Sequence, residues 1–282
     1  MLLAQVTDVH LGFEPDNPSE FNRKRFDQVV NYLCGLNPQP DMLLMSGDLT
    51  DLGDSDSYTR LLEAISPCAF PAWPIPGNHD LRENFAVAFP HVPHADGFIQ
   101  YEVDANGLRI LCIDTLEEGR HGGSYCETRA AWLRARLDEK PNTPTIIVMH
   151  HPPIDSGIEW MSTHSDEPWV VRFAGAIDGF DNIVGILCGH LHRATSIGWR
   201  GKTISICPST APQVTLELAP IDPEAPDGRP MIAAEPPGVA LHHWNGRELV
   251  SYFHTSDEYL TLARYDHRMQ DLVRELIAER PS

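Results

Sequence analysis

The sequence predicts an α/β fold in which a pair of mixed β-sheets is covered by helices. Three observations lead there. Apolar runs of strand length alternate with amphipathic helical stretches in the first part of the chain, the pattern of parallel βαβ units. Hairpin turn signals then take over, at Asn106-Gly107, around Gly201 and at Asn245-Gly246. A chain of 282 residues is also long enough to bury one large core, or a core with a smaller appendage.

Taken in order, Leu2-Leu3-Ala4-Gln5-Val6 is the first strand, running into Thr7-Asp8-Val9-His10 and a Gly/Pro/Asn loop to about Pro18. Ser19 is expected to cap a helix whose buried stripe is Phe26, Val29, Val30 and Leu33. Residues 42–46 form an unbroken buried strand that spills into Gly47-Asp48, and Tyr58, Leu61, Leu62 and Ile65 mark the next helix. The run 70–75 is interrupted by proline, which suits a sheet edge, and ends in Gly77-Asn78-His79-Asp80. Strands 98–104 and 108–114 make the first hairpin. A helix over 127–138 leads to strand 145–149, ending in His150-His151-Pro152-Pro153. A helix near 169–177 leads to strand 183–188, ending in Gly189-His190-Leu191-His192, and strands 195–199 and 203–207 pair around Gly201.

The character changes at Pro208. Residues 1–207 read as a core, and 208–282 as an appendage integral with it. Pro220, Pro223, Pro226, Pro230, Pro236 and Pro237 make an irregular arm, followed by a hairpin of strands 239–244 and 248–254. Residues 266–279 form an amphipathic helix with a stripe of Met269, Leu272, Val273, Leu276 and Ile277. The stripe packs within the chain or against a second copy. Arm and hairpin are expected to be a cap or a subunit contact, so a homo-oligomer is expected through this region.

A composition of 42% hydrophobic and 22% charged residues is that of a soluble globular protein, and no apolar run reaches membrane-spanning length. The first strand starts at residue 2, which leaves no room for a signal peptide, so a cytoplasmic protein is expected. The six cysteines form no CxxC pair. Cys34, Cys112, Cys188 and Cys207 lie in apolar runs and are expected to be buried, reduced thiols; Cys68 and Cys126 fall in loops. Formal charge is −19, a surface that repels nucleic acid, and the one basic cluster, Arg23-Lys24-Arg25, sits among acids. Neither nucleic acid nor membrane is expected as a partner.

The chemistry lies in the polar strand ends: Asp8-x-His10, Gly47-Asp48, Gly77-Asn78-His79-Asp80, His150-His151 and Gly189-His190-x-His192. Singly each is an ordinary loop or cap. Together, each directly after an apolar run, they are not explained by folding, because desolvating so many carboxylates and imidazoles is costly without metal or mutual compensation. In open α/β sheets ligands gather at the carboxyl ends of strands. Mixed imidazole and carboxylate donors without thiolate suit Zn, Mn, Fe or Co. If the strands stay extended, Asp8 and His10 point to the same side, as do His190 and His192.

This series resembles the calcineurin-like metallophosphoesterases, whose signature is Asp-x-His, Gly-Asp, Gly-Asn-His-(Asp/Glu), a His, and Gly-His-x-His. The match covers roughly residues 4 to 192. Within that superfamily the chain looks most like bacterial class III cyclic-nucleotide phosphodiesterases and glycerophosphodiesterases, through its immediate first strand, Met149-His150-His151-Pro152-Pro153 and the Ile-Asp-Thr segment at Asp114. The resemblance implies a four-layer α/β/β/α sandwich with two divalent or trivalent transition metals at the sheet ends. It places Asp8, His10, Asp48 and His192 on one ion, and Asp48, Asn78, His150 and His190 on the other. His151 matches no ligand position and supports a ligand or packs. The implied reaction is attack of a metal-bridging hydroxide on a phosphodiester, with ions about 3.5–4 Å apart. His79 and Asn78 would face the substrate, His79 serving the leaving oxygen. Asp51 matches the position that orients this His in the superfamily's phosphatases; otherwise it is a helix N-terminal carboxylate. His94, Trp160, His164 and Arg120 lie in loops as substrate contacts or as plain solvated or packed residues. The expected substrate is a small soluble diester, a 3′,5′-cyclic nucleotide or a glycerophosphodiester. Phosphomonoesterase, nuclease and a non-catalytic scaffold on the same fold are the alternatives.

Overall fold

In the computed structural model, which describes residues 1–280, β1 (Leu2–Val6) is followed by α1 (Phe21–Cys34), β2 (Met42–Ser46), α2 (Ser55–Ile65), β3 (Ala72–Ile75) and the short α3 (Arg82–Ala88). The three strands are parallel, with Val6 opposite Met45 and Ser46 opposite Ile75. Next come β4 (Tyr101–Ala105), β5 (Leu108–Cys112), α4 (Glu127–Glu139), β6 (Thr145–Val148), α5 (Pro168–Ile177) and β7 (Ile183–Cys188). The hairpin β8 (Thr195–Trp199) and β9 (Lys202–Ile206) completes a six-stranded sheet of order β4-β5-β6-β7-β9-β8, parallel inside and antiparallel at both edges.

The Pro-rich arm carries a two-stranded ribbon, β10 (Gln213–Val214) and β11 (Ile232–Ala233). The hairpin β12 (Gly238–Trp244) and β13 (Leu249–Thr255) then returns to the start of the chain. β12 lies antiparallel to β1, with Gln5 opposite Ala240, and gives the first sheet the order β13-β12-β1-β2-β3. The final hairpin is thus structural in the first sheet, and β1 would lose a neighbour without it. α6 (Gln270–Ala278) closes the described chain, and no residue of it is buried. No helix among the described residues is long and apolar enough to cross a membrane.

The period-two alternation of the second sheet makes the layers. On β5 and β6, Leu108, Ile110, Cys112, Ile146 and Val148 face the first sheet and share one core with Leu3, Leu43 and the α1 and α2 residues Phe26, Val29, Leu33, Tyr58 and Leu61. Leu111, Ile147 and Met149 face the other way and pack with Leu133, Leu137, Val170 and Phe173 of α4 and α5. Helices, sheet, sheet, helices is the predicted α/β/β/α order, and β3 is the edge strand its prolines suggest.

Local expectations fail in places. Ser19 does not cap α1: Glu20 holds the N-cap position and makes no side-chain cap bond. Its buried carboxylate instead accepts the backbone N–H groups of Gly12 (2.7 Å) and Glu14 (3.0 Å), folding the preceding loop back on itself. The final helix is shorter than 266–279. Cys34 is only half-buried, with its Sγ 3.9 Å from that of Cys68.

Candidate metal centre

β1, β2, β6 and β7 all end at one level, and the polar residues that follow them meet there. Extended geometry is not how they do it. Asp8 (φ 50°), His10 (48°), Asp48 (50°), His190 (71°) and His192 (50°) are all left-handed, a conformation that costs non-glycine residues energy and clusters at functional sites. The chain turns sharply as it leaves β1, β2 and β7. It can do so because glycine stands where backbones touch: a Cβ on Gly77 would lie 2.2 Å from Asp48 Oδ1, and one on Gly47 2.4 Å from His150 Nδ1.

The result is a ring of inward-facing donors. Asp48 Oδ2 lies 3.3 Å from His150 Nε2 and 3.6 Å from His10 Nε2, while its Oδ1 accepts the backbone N–H of His79 at 2.8 Å. Asp8 Oδ1 lies 3.3 Å from His192 Nε2, and its Oδ2 accepts the His190 N–H at 3.0 Å. Asn78 Oδ1 is 3.2 Å from His150 Nε2, and the Nε2 atoms of His10 and His192 are 3.2 Å apart.

The opposite edges of the imidazoles are tied to groups that only accept. His10 Nδ1 meets Asp51 Oδ1 (3.2 Å), His150 Nδ1 the Ser46 carbonyl (2.8 Å) and His192 Nδ1 the Pro212 carbonyl (2.9 Å). Each Nδ1 is therefore a donor, and Nε2 is the nitrogen that faces inward, open to a metal once it has given up any proton, the arrangement of metal-ligating histidines. Burial alone would raise the pKa values of Asp8 and Asp48, but the imidazoles of His192 and His150 respectively outweigh it and hold both carboxyls low. Burial would likewise lower that of His150, yet Asp48 and Asp8 push it up to about 9. Burial and the neighbouring His150 take His190 down to about 3. Asp8 Oδ1 is buried with no hydrogen-bond partner. A cation would satisfy that oxygen and separate the facing nitrogens, so these residues fit the divalent metals the fold implies. Asp8, His10 and His192, and separately Asp8, Asp48 and His150, have donor atoms within 4.8 Å of one another.

His151 is buried beside this ring, but its Nδ1 faces the Thr115 hydroxyl (2.8 Å) and its Nε2 the His121 carbonyl (3.1 Å), which leaves it no free lone pair. His79 Nδ1 is held by the backbone carbonyl of Asp51 (2.9 Å) and lies 3.8 Å from its carboxylate. The Asp51 side chain thus serves His10 more closely than His79.

The ring opens into a cavity of about 460 Å³, whose outer walls are His121, Trp160, Met161, Glu167, Val214 and Ile232. Trp160 is the one loop residue of the expected set that lines it. His94 and His164 are exposed and stand outside it, and Arg120 pairs with Glu117 at 3.0 Å in a neighbouring groove. Val214 and Ile232 belong to the β10–β11 ribbon, so the Pro-rich arm walls the cavity.

The sequence reading passed over two brackets. Asp80, 1% exposed, accepts N–H groups from Leu49 (3.1 Å) and Gly77 (2.9 Å) and the Tyr58 hydroxyl (2.7 Å), joining the Asp48 and Asn78 turns. Asp114, fully buried, takes a two-pronged Arg82 (2.7 and 2.9 Å) and the N–H groups of Ile99 and Leu116. Asp114 directly follows an apolar run, the same signal that marks the ring, whereas Asp80 stands five residues after β3 in the turn that carries Asn78.

The sequence model of the calcineurin-like phosphoesterases matches residues 1–194, more than half the chain, and the chain belongs to that family of phosphoester hydrolases. It is 31% identical over 276 residues to the glycerophosphodiester phosphodiesterase GpdQ of Enterobacter lignolyticus, covering 95% of this chain and 96% of that one. It is 29% identical over 214 residues to the 3′,5′-cyclic adenosine monophosphate phosphodiesterase CpdA of Vibrio vulnificus, covering 75% and 77%. Among solved structures the purple acid phosphatase PPD1 of yellow lupin superposes with a TM-score of 0.61 at 14% identity, over 91% of this chain and 51% of that one, a likeness of fold.

Proposed function

We propose that this protein is a phosphodiesterase for small soluble diesters, a 3′,5′-cyclic nucleotide or a glycerophosphodiester, working with two transition-metal ions of the Mn, Fe, Zn or Co type. Asp8, His10, Asp48 and His192 hold one ion in this reading; Asp48, Asn78, His150 and His190 hold the other. The observation that carries it is the convergence of donors from both sheets on one buried point where Asp8 Oδ1 has no partner of its own. That Asp48 Oδ2 lies 3.6 Å from His10 Nε2 and 3.3 Å from His150 Nε2 supports reading Asp48 as the ligand the two sets share.

Bound ions would supply Lewis acidity and an activated water at neutral pH. The chain's part is to hold geometry and move a proton. The Nδ1–H bonds fix the ring planes of His10, His150 and His192. His79, locked at Nδ1 by the Asp51 carbonyl, lines the cavity with its other edge free, so its protonated form can deliver a proton from Nε2 to the departing alkoxide. The Asn78 amide lies beside it for a phosphoryl oxygen. Trp160, Met161, Val214 and Ile232 make an apolar wall that excludes water from the organic part of the diester. No arginine or lysine among the described residues lines this cavity, which suits a small substrate over a nucleic-acid backbone.

Turnover of bis(p-nitrophenyl) phosphate against p-nitrophenyl phosphate tests the reading. Preference for the diester is expected; a clear preference for the monoester would replace it with a phosphomonoesterase. Elemental analysis of protein grown with metal should give two transition-metal ions per chain, and fewer than one would favour the scaffold. As part of the same proposal the protein is cytoplasmic, in keeping with six free thiols. It associates through its C-terminal segment, where Leu260, Leu262, Tyr265, Leu272, Leu276 and Ile277 are exposed. A monomeric mass by light scattering removes that last element.

A further inference from the structure

Gln5 is a polar side chain in the middle of β1, fully buried, three residues before Asp8. A buried amide is tolerated only when its bonds are made. Its partners stand on three other strands. Nε2 donates to Ser46 Oγ on β2 (2.8 Å) and to the Cys188 carbonyl on β7 (3.0 Å), while Oε1 lies 2.9 Å from Nε2 of His242 on β12. β2 and β7 belong to different sheets, and Ser46 and Cys188 are the last residues before Gly47-Asp48 and Gly189-His190. Resting on the two-ion reading above, we propose that Gln5 is a positioning residue that sets the spacing between the Asp48 and His190 halves of the centre, with its amide oriented by His242.

Hydrogen-bond inventory leaves one arrangement of this network. The Cys188 carbonyl only accepts, so the amide nitrogen faces it and Oε1 faces His242. His242 Nε2 then carries the proton, and its Nδ1 accepts the Ser251 hydroxyl at 2.8 Å, as a neutral imidazole can. Burial favours that neutral form by taking the His242 pKa down to about 4. Turning the amide over would set two carbonyl oxygens against each other. The sheets touch at this point, since a Cβ on Gly189 would lie 1.9 Å from Thr7 Oγ1 and 3.0 Å from both the Ser46 carbonyl and Asp8 Oδ2. The same Ser46 carbonyl fixes His150 Nδ1 at 2.8 Å. A small slip of β2 against β7 therefore moves Asp48, His150 and His190 relative to one another.

The test is calorimetric titration of Mn(II) into metal-stripped wild type and Gln5→Met, an apolar side chain of similar length, with thermal melts of both stripped proteins and kcat and KM of the reloaded ones. Gln5→Met is expected to bind at least one equivalent about 10–100-fold more weakly and to lose kcat more than it raises KM. A lower melting temperature with both equivalents bound as in wild type would show a merely structural residue and overturn the proposal. If Gln5→Met does not fold, His242→Leu decides: weakened binding supports the clamp, and wild-type binding refutes it. Wild type taking up no metal would instead sink the two-ion reading, and the clamp with it.

Discussion

At the residue scale the centre is organised by what each side chain's far edge is tied to. His10, His79, His150 and His192 each have one ring nitrogen pinned by an oxygen; for His79, His150 and His192 it is a backbone carbonyl, and for His10 it is the Asp51 carboxylate. The roles of His79 and Asp51 can therefore be separated. His79→Ala is expected to lower kcat for a diester with a poor leaving group by about 10²–10⁴-fold while leaving two metals bound; equal metal loss would make His79 a ligand. Asp51→Asn keeps the carbonyl that holds His79 and changes the carboxylate beside His10. Its main effect should be on metal retention, measured by dialysis against a chelator, and only a smaller one on kcat of the loaded enzyme. Which residues gather was legible in the sequence, because a donor straight after an apolar strand is a strong pattern. How Asp51 acts was not, since a backbone carbonyl leaves no trace in residue type.

The elements were legible where periodicity is long and obscure where tertiary contact decides. The two-residue strands β10 and β11 carry no period, yet they bring Val214 and Ile232 to the cavity. Ser19 looked like a cap, and the loop it follows is held by Glu20 instead. The most consequential miss is the backbone after β1 and β7: an extended run would also align alternate residues, but the donors are turned inward by left-handed conformations. The two sheets nearly touch at these turns, which is what Gly189 permits. Gly189→Ala has no space for its methyl against Thr7, Asp8 and the Ser46 carbonyl. It is expected to cost about 1–3 kcal/mol of stability and to weaken metal binding in parallel, read by urea denaturation and Mn titration. An unchanged denaturation midpoint would mean that the strand ends are looser than they look.

Across the whole molecule the charge and the sheet pair set conditions for everything smaller. A chain of formal charge −19 remains at −15 with two divalent ions, since −19 + 4 = −15. An anionic diester approaches against that field, and salt screens it. kcat/KM for bis(p-nitrophenyl) phosphate should therefore rise as ionic strength goes from about 10 to 150 mM, where the Debye length falls from about 30 to 8 Å; a fall would point to local attraction by the centre outweighing the surface. The two sheets are also coupled to pH through His242, which is neutral and fully buried between β1 and β13. Burial lowers its pKa from 6.5 to about 4 in the folded chain, so between those values the unfolded chain binds the extra proton. Stability attributable to this residue is thus intact above about pH 6.5 and declines as pH falls toward 4, by at most about 1.4 kcal/mol per pH unit. The other titrating groups are common to wild type and His242→Leu, so the difference between them isolates this one. Denaturant unfolding of both metal-stripped proteins at pH 7.5, 6 and 5 should give a shallower acid slope for the variant, whatever its absolute stability. Parallel slopes would mean that His242 is protonated as readily in the fold as outside it, and the single hydrogen-bond direction from Ser251 through His242 to Gln5 would no longer hold.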